Sequence, residues 1–94
     1  MGNVTVNLQQ PLPEIIKINE TSNVQIAKPV TFKELLKLLE KACGRDVSKA
    51  ILEPGENSFQ GHIILLVNGN RVNTVDAKIS EGSVVDILAL TFGG

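Results

Sequence analysis

The stretch that decides the fold is TFKELLKLLEKACG, which occupies residues 31–44. Thr31 stands three residues before Glu34, the spacing of a capping box, in which each side chain accepts a hydrogen bond from the other residue's backbone amide. The leucines that follow recur on one helical face, with the lysines mostly on the opposite face. Gly44 stands where a helix commonly ends in a left-handed residue. The stretch therefore predicts a helix at about residues 31–43, whose leucine stripe must be buried against another element.

The segment before this helix has the pattern of a β-hairpin. Residues 3–8 alternate polar and apolar side chains, which places the apolar ones on one face of a strand. Residues 24–27 predict a second strand, antiparallel to the first. Pro11 and Pro13 lie between them and stop regular pairing, because proline has no backbone donor. Residues 14–22 allow two interpretations, a loop packed by its isoleucines or a short extra strand.

The segment after the helix predicts three more strands. Residues 46–52 indicate a further helical turn, capped by its first residue, before a loop. Ile63–Val67 is apolar on both faces, which is typical of a central strand. Asn68-Gly69 follows, and both residues tolerate the positive φ of a tight hairpin turn into a short strand at residues 71–72. A last strand is predicted at residues 84–90, placed centrally beside the first strand.

The composition leaves few side chains for catalysis. The chain has 94 residues and 10.1 kDa, which indicates one domain. It has one Cys and one His, too few for an internal disulfide or a zinc site built on Cys and His. We expect Cys43 to be a buried small hydrophobe and not a redox group, and His62 to be a surface histidine and not a catalytic base. Carboxylates are the remaining candidates for a site, and no pattern brings two of them together.

Charge and hydropathy exclude two classes of partner. Nine Lys and Arg offset ten Asp and Glu, for a net charge of −1, so no basic surplus favours direct nucleic acid binding. The longest apolar run, Ile63–Val67, is far shorter than the ~20 residues that span a bilayer. The N-terminus also lacks the pattern of a signal peptide. We therefore expect a cytoplasmic protein with no membrane partner and no direct contact with nucleic acid.

The order of elements and the Gly-Gly end resemble the ubiquitin-related modifier family of ubiquitin-like sulfur carriers. Small archaeal modifier proteins and the small subunit of molybdopterin synthase are close in pattern. The resemblance covers essentially the whole chain and is carried by Asn3–Val6, Pro29–Thr31 leading into Leu35-Leu36, Gly61–Gly69, Ile79–Val85 and Gly93-Gly94. It implies an α+β fold, the ubiquitin-like β-grasp, with a mixed sheet of about four to five strands and one main helix across one face. A single domain of residues 1–92 would carry a flexible tail, residues 91–94.

The resemblance also implies a function for the two terminal glycines. An E1-like enzyme would use ATP to adenylate the carboxylate of Gly94, and a sulfurtransferase would supply the sulfur of a thiocarboxylate. A tRNA thiolation enzyme would take that sulfur, or the terminus would be joined to lysines of target proteins. Gly93 would supply clearance, since glycine has no side chain to clash in a narrow channel. The chain would then be a protein substrate and not an enzyme, with no bound cofactor or metal and no need of a processing protease.

Two other functions stay open. The small subunit of molybdopterin synthase uses the same thiocarboxylate, but it typically has a Pro-Pro pair before its tail, where this chain has residues 89–91 without a proline. A non-reactive ubiquitin-like binding module would carry its glycines incidentally. Phe92 stands where the modifier family usually has a histidine, so the resemblance carries over no role that requires an imidazole.

The last strand also predicts a partner surface. Asp86 favours water, so Val85, Ile87 and Ala89 should face the helix, and the alternate residues should face outward. The same parity on the central strand places its outward side chains next to them. These residues would form an exposed apolar patch leading to the tail, as a partner site should; they are Phe92, Leu90, Leu88, Ile64 and Leu66. The alternative is that residues 9–23 or 72–80 cover them.

Overall fold

The structure is a computed structural model, and it describes residues 2–90. The elements within that range are β1 (Gly2–Leu8), α1 (Leu12–Ile16), β2 (Thr21–Ile26), β3 (Val30–Thr31), α2 (Phe32–Cys43), α3 (Ser48–Ile51), β4 (Ile63–Val67), β5 (Asn70–Val72), β6 (Lys78–Ile79) and β7 (Val84–Ala89). Five strands form one sheet in the order β2-β1-β7-β4-β5, and β3 pairs with β6. β1 and β7 are parallel, whereas the other neighbours in the sheet are antiparallel. The sheet is therefore mixed and the fold is α+β, as predicted.

Helix α2 begins and ends where its sequence predicts. The Thr31 hydroxyl accepts a hydrogen bond from the Glu34 amide at 3.1 Å, and the Glu34 carboxylate accepts one from the Thr31 amide at 2.9 Å. The bond from the Thr31 backbone is the largest of the effects that lower the pKa of Glu34 below its ordinary value of 4.5. Gly44 ends the helix with φ of 72°. The capping box thus sets the helix start, and the left-handed glycine sets its end.

The core lies between α2 and the inner face of the sheet. The side chains of Phe32, Leu35 and Leu36 are fully buried, and the ring of Phe32 lies 5.5 Å from that of Phe59 between centroids. Strands β1, β2, β4 and β7 contribute the opposing apolar side chains; these are Val4, Val6, Leu8, Val24, Ile26, Ile63, Leu65, Val85 and Ile87. Burial of this leucine stripe on the sheet is what fixes α2 across one face.

The central position of β7 is confirmed, and so are its two faces. β7 pairs with β1 on one side and with β4 on the other. Val85 and Ile87 are fully buried on the helix side, whereas Val84 on the outer face is 40 % exposed. Ala89 packs against the core as well. The alternation predicted from Asp86 is therefore correct.

The predicted hairpin between β4 and β5 is present. Asn68 and Gly69 have φ of 52° and 84°, which suits a two-residue turn of the type that matches strand twist. The Asn68 side-chain oxygen also accepts a hydrogen bond from the Val84 amide at 2.8 Å. This bond ties the turn to the start of β7.

Residues 14–16 form neither the loop nor the extra strand that were predicted for residues 14–22. They belong to helix α1, which spans Leu12–Ile16. Proline is suited to the first turn of a helix, where its missing donor is not needed, and the two prolines lie at that turn. The isoleucines do not all pack, since Ile16 is 6 % exposed but Ile15 is 62 % exposed. β2 then begins at Thr21, three residues earlier than predicted, and runs to Ile26.

The second predicted helical turn is shorter than expected. α3 spans Ser48–Ile51, although the predicted turn begins at residue 46. Asp46 nevertheless accepts a hydrogen bond from the Lys49 amide at 3.1 Å, which is a capping contact. Gln60 fixes the other end, because its side-chain nitrogen donates to the Lys49 and Leu52 carbonyls at 2.8 and 3.2 Å.

Candidate functional site

The tail leaves the sheet beside the start of β4. The Leu90 amide donates to the His62 carbonyl at 2.7 Å, and the Leu90 side chain is 44 % exposed. The predicted flexible tail at residues 91–94 lies outside the described residues, and with it Phe92, Gly93 and Gly94, whose roles stay predictions. Four residues extend at most about 14 Å. Gly94 is therefore within about 14 Å of Leu90 along the chain.

The structure brings three of the predicted partner residues together on the outer face. Leu88 of β7 is directly opposite Ile64 of β4, and Leu66 is opposite Asp86. Leu88, Ile64 and Leu66 are half-buried, and the exposed Leu90 follows them toward the tail. Directly opposite residues in a sheet have Cβ atoms about 5 Å apart, so these side chains form one continuous surface. Their binding of a partner stays a prediction.

Asp86 places a fixed carboxylate inside this apolar surface. The Asn7 side-chain nitrogen donates to Asp86 Oδ1 at 3.0 Å, and the Thr21 hydroxyl donates to Asn7 Oδ1 at 2.9 Å. These two hydrogen bonds link side chains of β7, β1 and β2 across the outer face of the sheet. A partner that covers Leu66 and Leu88 must therefore leave Asp86 hydrated or supply a further donor, since the neutral Asn7 amide alone does not offset the burial of a carboxylate charge.

Sequence reasoning missed Asn7, because its contact with Asp86 depends on the parallel register of β1 and β7. In that register Asn7 is directly opposite Asp86. The alternation of residues 3–8 places Asn7 outward, but it does not identify the neighbouring strand. Parallel pairing between two distant segments leaves no local signal in a single sequence.

The segments suspected of covering the outer face lie elsewhere. In the first segment, α1 turns its Leu12 and Ile16 side chains into the core, and only Gln9 borders the depression beside Leu66 and Leu88. In the second segment, β6 pairs with β3 at the start of α2, where the Phe32 amide donates to the Ala77 carbonyl at 2.9 Å. Among the described residues, neither of these two segments therefore covers the outer face beside β4 and β7.

The single cysteine and the single histidine of the chain lie at different places in the fold. Cys43 is half-buried against the core, with its sulfur 4.0 Å from the carbonyl oxygens of Glu40 and Arg45. His62 is half-buried, and its carbonyl accepts the hydrogen bond from the Leu90 amide. Among residues 2–90, no three His, Cys, Asp or Glu side chains are grouped so that they would hold a metal ion. Within the same range, no helix is long and apolar enough to cross a bilayer.

Comparisons with known proteins give similarity in structure but not in sequence. No protein-family model matches the chain, and no curated protein matches it in sequence. SAMP1 from Haloferax volcanii is similar in structure with a TM-score of 0.79 at 19% identity, over 99% of this chain and 100% of that one. A chain of the BexX/CysO complex from Amycolatopsis orientalis has a TM-score of 0.77 at 20% identity, over 97% and 99% of the two chains. Urm1 from Trypanosoma brucei has a TM-score of 0.73 at 17% identity, over 99% of this chain and 96% of that one.

SAMP1 and Urm1 come from groups of proteins that the sequence resemblance named. At such low identity, the similarity establishes the arrangement of the chain and not its chemistry. It extends from the first strand to the last, and this chain spans nearly the full length of each neighbour. The chain therefore has the ubiquitin-like β-grasp fold, in the form that these small proteins share.

Proposed function

We propose that this chain is a ubiquitin-like sulfur carrier and protein modifier whose reactive group is the carboxylate of Gly94. The observation that carries the proposal is the position of Gly93 and Gly94 in the sequence, four and five residues beyond the end of β7, the central strand of a β-grasp sheet. Glycines lack side chains and adopt φ of either sign, so they suit entry into a narrow active site. The structural neighbours support the proposal through their fold.

The chemistry belongs to the partner enzymes, and this chain supplies the carboxylate. One carboxylate oxygen of Gly94 attacks the α-phosphorus of ATP, and pyrophosphate leaves. The resulting acyl adenylate is an activated electrophile. Attack by a sulfide at the carbonyl carbon then releases AMP and yields the thiocarboxylate, whereas attack by a lysine amine yields an amide bond to a target protein. ATP is thus a substrate of the E1-like enzyme and not a cofactor of this chain.

The outer face would position the tail for these steps. An apolar surface of Leu88, Ile64 and Leu66 leads to the exposed Leu90, from which the tail continues. An enzyme bound there would hold the Gly94 carboxylate within about 14 Å of Leu90. Asp86 with its Asn7 partner would add specificity, because a matching donor on the enzyme is needed to cover it without cost. A sulfurtransferase and a tRNA thiolation enzyme would be further partners.

Intact-mass spectrometry tests the proposal. The chain that ends at Gly94 is incubated with ATP, sulfide and a purified E1-like enzyme from its source organism. Thiocarboxylate formation adds about 16 Da, because sulfur replaces one oxygen. The matched control lacks Gly94 and ends at Gly93, and it should keep its mass. No change in the mass of the full chain, or an equal change in both chains, would show that Gly94 is not the reacting group.

Complementation then separates the two sulfur-transfer functions. Cells that lack their own carrier for tRNA thiolation should regain thiolated tRNA when they express this chain, but not when they express the chain without Gly94. Recovery of molybdenum-cofactor synthesis instead would identify a molybdopterin synthase subunit. A non-reactive binding module would do neither.

A further inference from the structure

Two of the exposed large hydrophobic side chains lie at the same end of the molecule. Within residues 2–90, Ile15, Val84 and Leu90 are the large apolar side chains that are clearly exposed, at 62, 40 and 44 %. Val84 begins β7 and Leu90 follows its end, so they are separated by six residues, or about 20 Å along the strand. Ile15 belongs to the Leu90 end, because α1 follows the carboxyl end of β1, which runs parallel to β7.

Hydrogen bonds fix α1 close to the root of the tail. The Gln9 amide donates to the Ile87 carbonyl at 3.0 Å, and the Leu12 amide donates to the Gln9 carbonyl at 3.0 Å. These bonds hold the start of α1 against the last residues of β7. Hydrogen bonds between backbone groups therefore fix the position of α1 beside the end of β7.

An open groove lies between α1 and α3 on this end of the molecule, and we call it the α1–α3 groove. Its lining residues include Leu12, Ile15, Ile16, Ala50 and His62. Its floor is apolar, and its rim carries the exposed, oppositely charged Asp46 and Lys49. An apolar centre with a polar rim is the anatomy of a protein–protein contact. His62 belongs both to this groove and to the bond that holds Leu90.

We propose that the α1–α3 groove is a second docking surface for the enzyme that activates Gly94. The inference rests on the proposed function and adds to it a contact on a different side of the tail root. The length of chain beyond Leu90 carries the argument. Because four residues reach at most about 14 Å, an enzyme that encloses the Gly94 carboxylate must press against this end of the molecule. The groove borders the tail root through His62, so such an enzyme would meet Ile15.

The chemistry of the groove indicates what the enzyme presents to it. An apolar side chain of the enzyme would lie between Ile15 and Ala50, where it would remove the exposed Ile15 from water. The rim carries one charge of each sign, so complementary polar groups would surround this contact. Such an interface depends little on long-range attraction, and its affinity should change little with salt.

The test compares two charged substitutions at exposed apolar positions. Ile15→Asp changes the α1–α3 groove, and Ala42→Asp places the same charge on the exposed side of α2, across the sheet from the outer face. We expect Ile15→Asp to raise the KM of the chain in ATP–pyrophosphate exchange by about tenfold or more, as loss of a well-buried contact does. We expect the KM of Ala42→Asp to stay within about twofold of that of the unchanged chain. Since neither residue touches the reacting atoms, kcat should be unaltered.

A second variant in the groove and a check of folding separate loss of docking from loss of structure. Ala50→Glu, on the opposite wall of the groove, should raise KM in the same way, so a folding defect specific to α1 cannot imitate the result. Circular dichroism checks that each variant is folded. Equal KM values for Ile15→Asp and the unchanged chain would overturn the inference. So would an effect of Ile15→Asp confined to self-association or to a later sulfur-transfer step.

Failure of the proposed function is distinguishable from failure of this inference. If the unchanged chain supports no pyrophosphate exchange and gains no mass, then Gly94 is not activated and both proposals fall. If the unchanged chain is activated but Ile15→Asp and Ala50→Glu react equally well, the carrier function stands and only the α1–α3 groove is excluded as a docking surface.

Discussion

Adjacent residues of β7 should separate stability from partner binding. Ile87 is fully buried on the helix side, whereas Leu88 is half-buried on the outer face. Ile87→Ala removes three carbon groups worth about 0.8 kcal/mol each and leaves a cavity, for a loss of about 3–4 kcal/mol in the free energy of unfolding. Leu88→Ala should lose about 1 kcal/mol, since its side chain is already partly in water and leaves no enclosed cavity.

Urea denaturation followed by far-ultraviolet circular dichroism measures both values. The chain has no Trp and no Tyr, so fluorescence is a poor probe. At about 4–8 °C per kcal/mol for a domain of this size, Ile87→Ala should also lower Tm by more than about 12 °C. Ile87→Ala is thus the more harmful variant for stability, but Leu88→Ala should be the more harmful one for activation. In pyrophosphate exchange at low temperature, where both variants are folded, we expect Leu88→Ala to raise KM and Ile87→Ala to leave it unchanged. An equal loss of stability in the two variants would refute the assignment of the two faces.

The remaining predictions concern helix α2 and the outer face. Thr31→Ala should lower stability by about 1 kcal/mol in urea titrations, because it removes the acceptor for the Glu34 amide. The pKa of Glu34 is lower in the folded chain than its ordinary value of 4.5. The ionised side chain therefore contributes fully to the free energy of unfolding well above pH 4.5, and this contribution is lost as the pH falls through the pKa of the folded chain. The difference in urea midpoint between the unchanged chain and Glu34→Gln should therefore narrow from pH 7 to pH 3, and a constant difference would contradict this linkage. Asn7→Ala should leave the fold intact by circular dichroism but raise KM in pyrophosphate exchange, since Asp86 then meets the enzyme without its partner; an unchanged KM would remove Asp86 from the docking surface.

The elements that were predicted correctly are specified by short-range chemistry. The capping box of α2 needs two residues three apart, and the Asn68-Gly69 hairpin needs two residues that accept positive φ. The faces of β7 follow from the single polar residue Asp86 in an apolar strand. Each of these features is decided within one turn or one strand, so the sequence pattern alone predicts it.

The elements that were missed depend on distant parts of the chain. Residues 12–16 make less than two helical turns, too few to show a recurring apolar pattern, and their helix is stabilised by Leu12 and Ile16 against the core. The exposure of Ile15 follows from that packing and not from its own hydropathy. Likewise, the hydrogen bond between Asn7 and Asp86 requires the parallel pairing of the first and last strands. Of the site, the apolar outer residues were predictable by parity, but the polar partner of Asp86 and the α1–α3 groove were not.

The location of the reactive group at Gly94 is the central claim. If the claim is correct, the near absence of catalytic side chains from a chain of this size needs no other explanation, since the main-chain carboxylate reacts and partner enzymes supply the catalysis. The most direct measurement is the intact mass after incubation with the E1-like enzyme, ATP and sulfide. We predict a gain of about 16 Da that is lost when Gly94 is removed. An unchanged mass for the full chain, or a gain that persists without Gly94, would contradict the account.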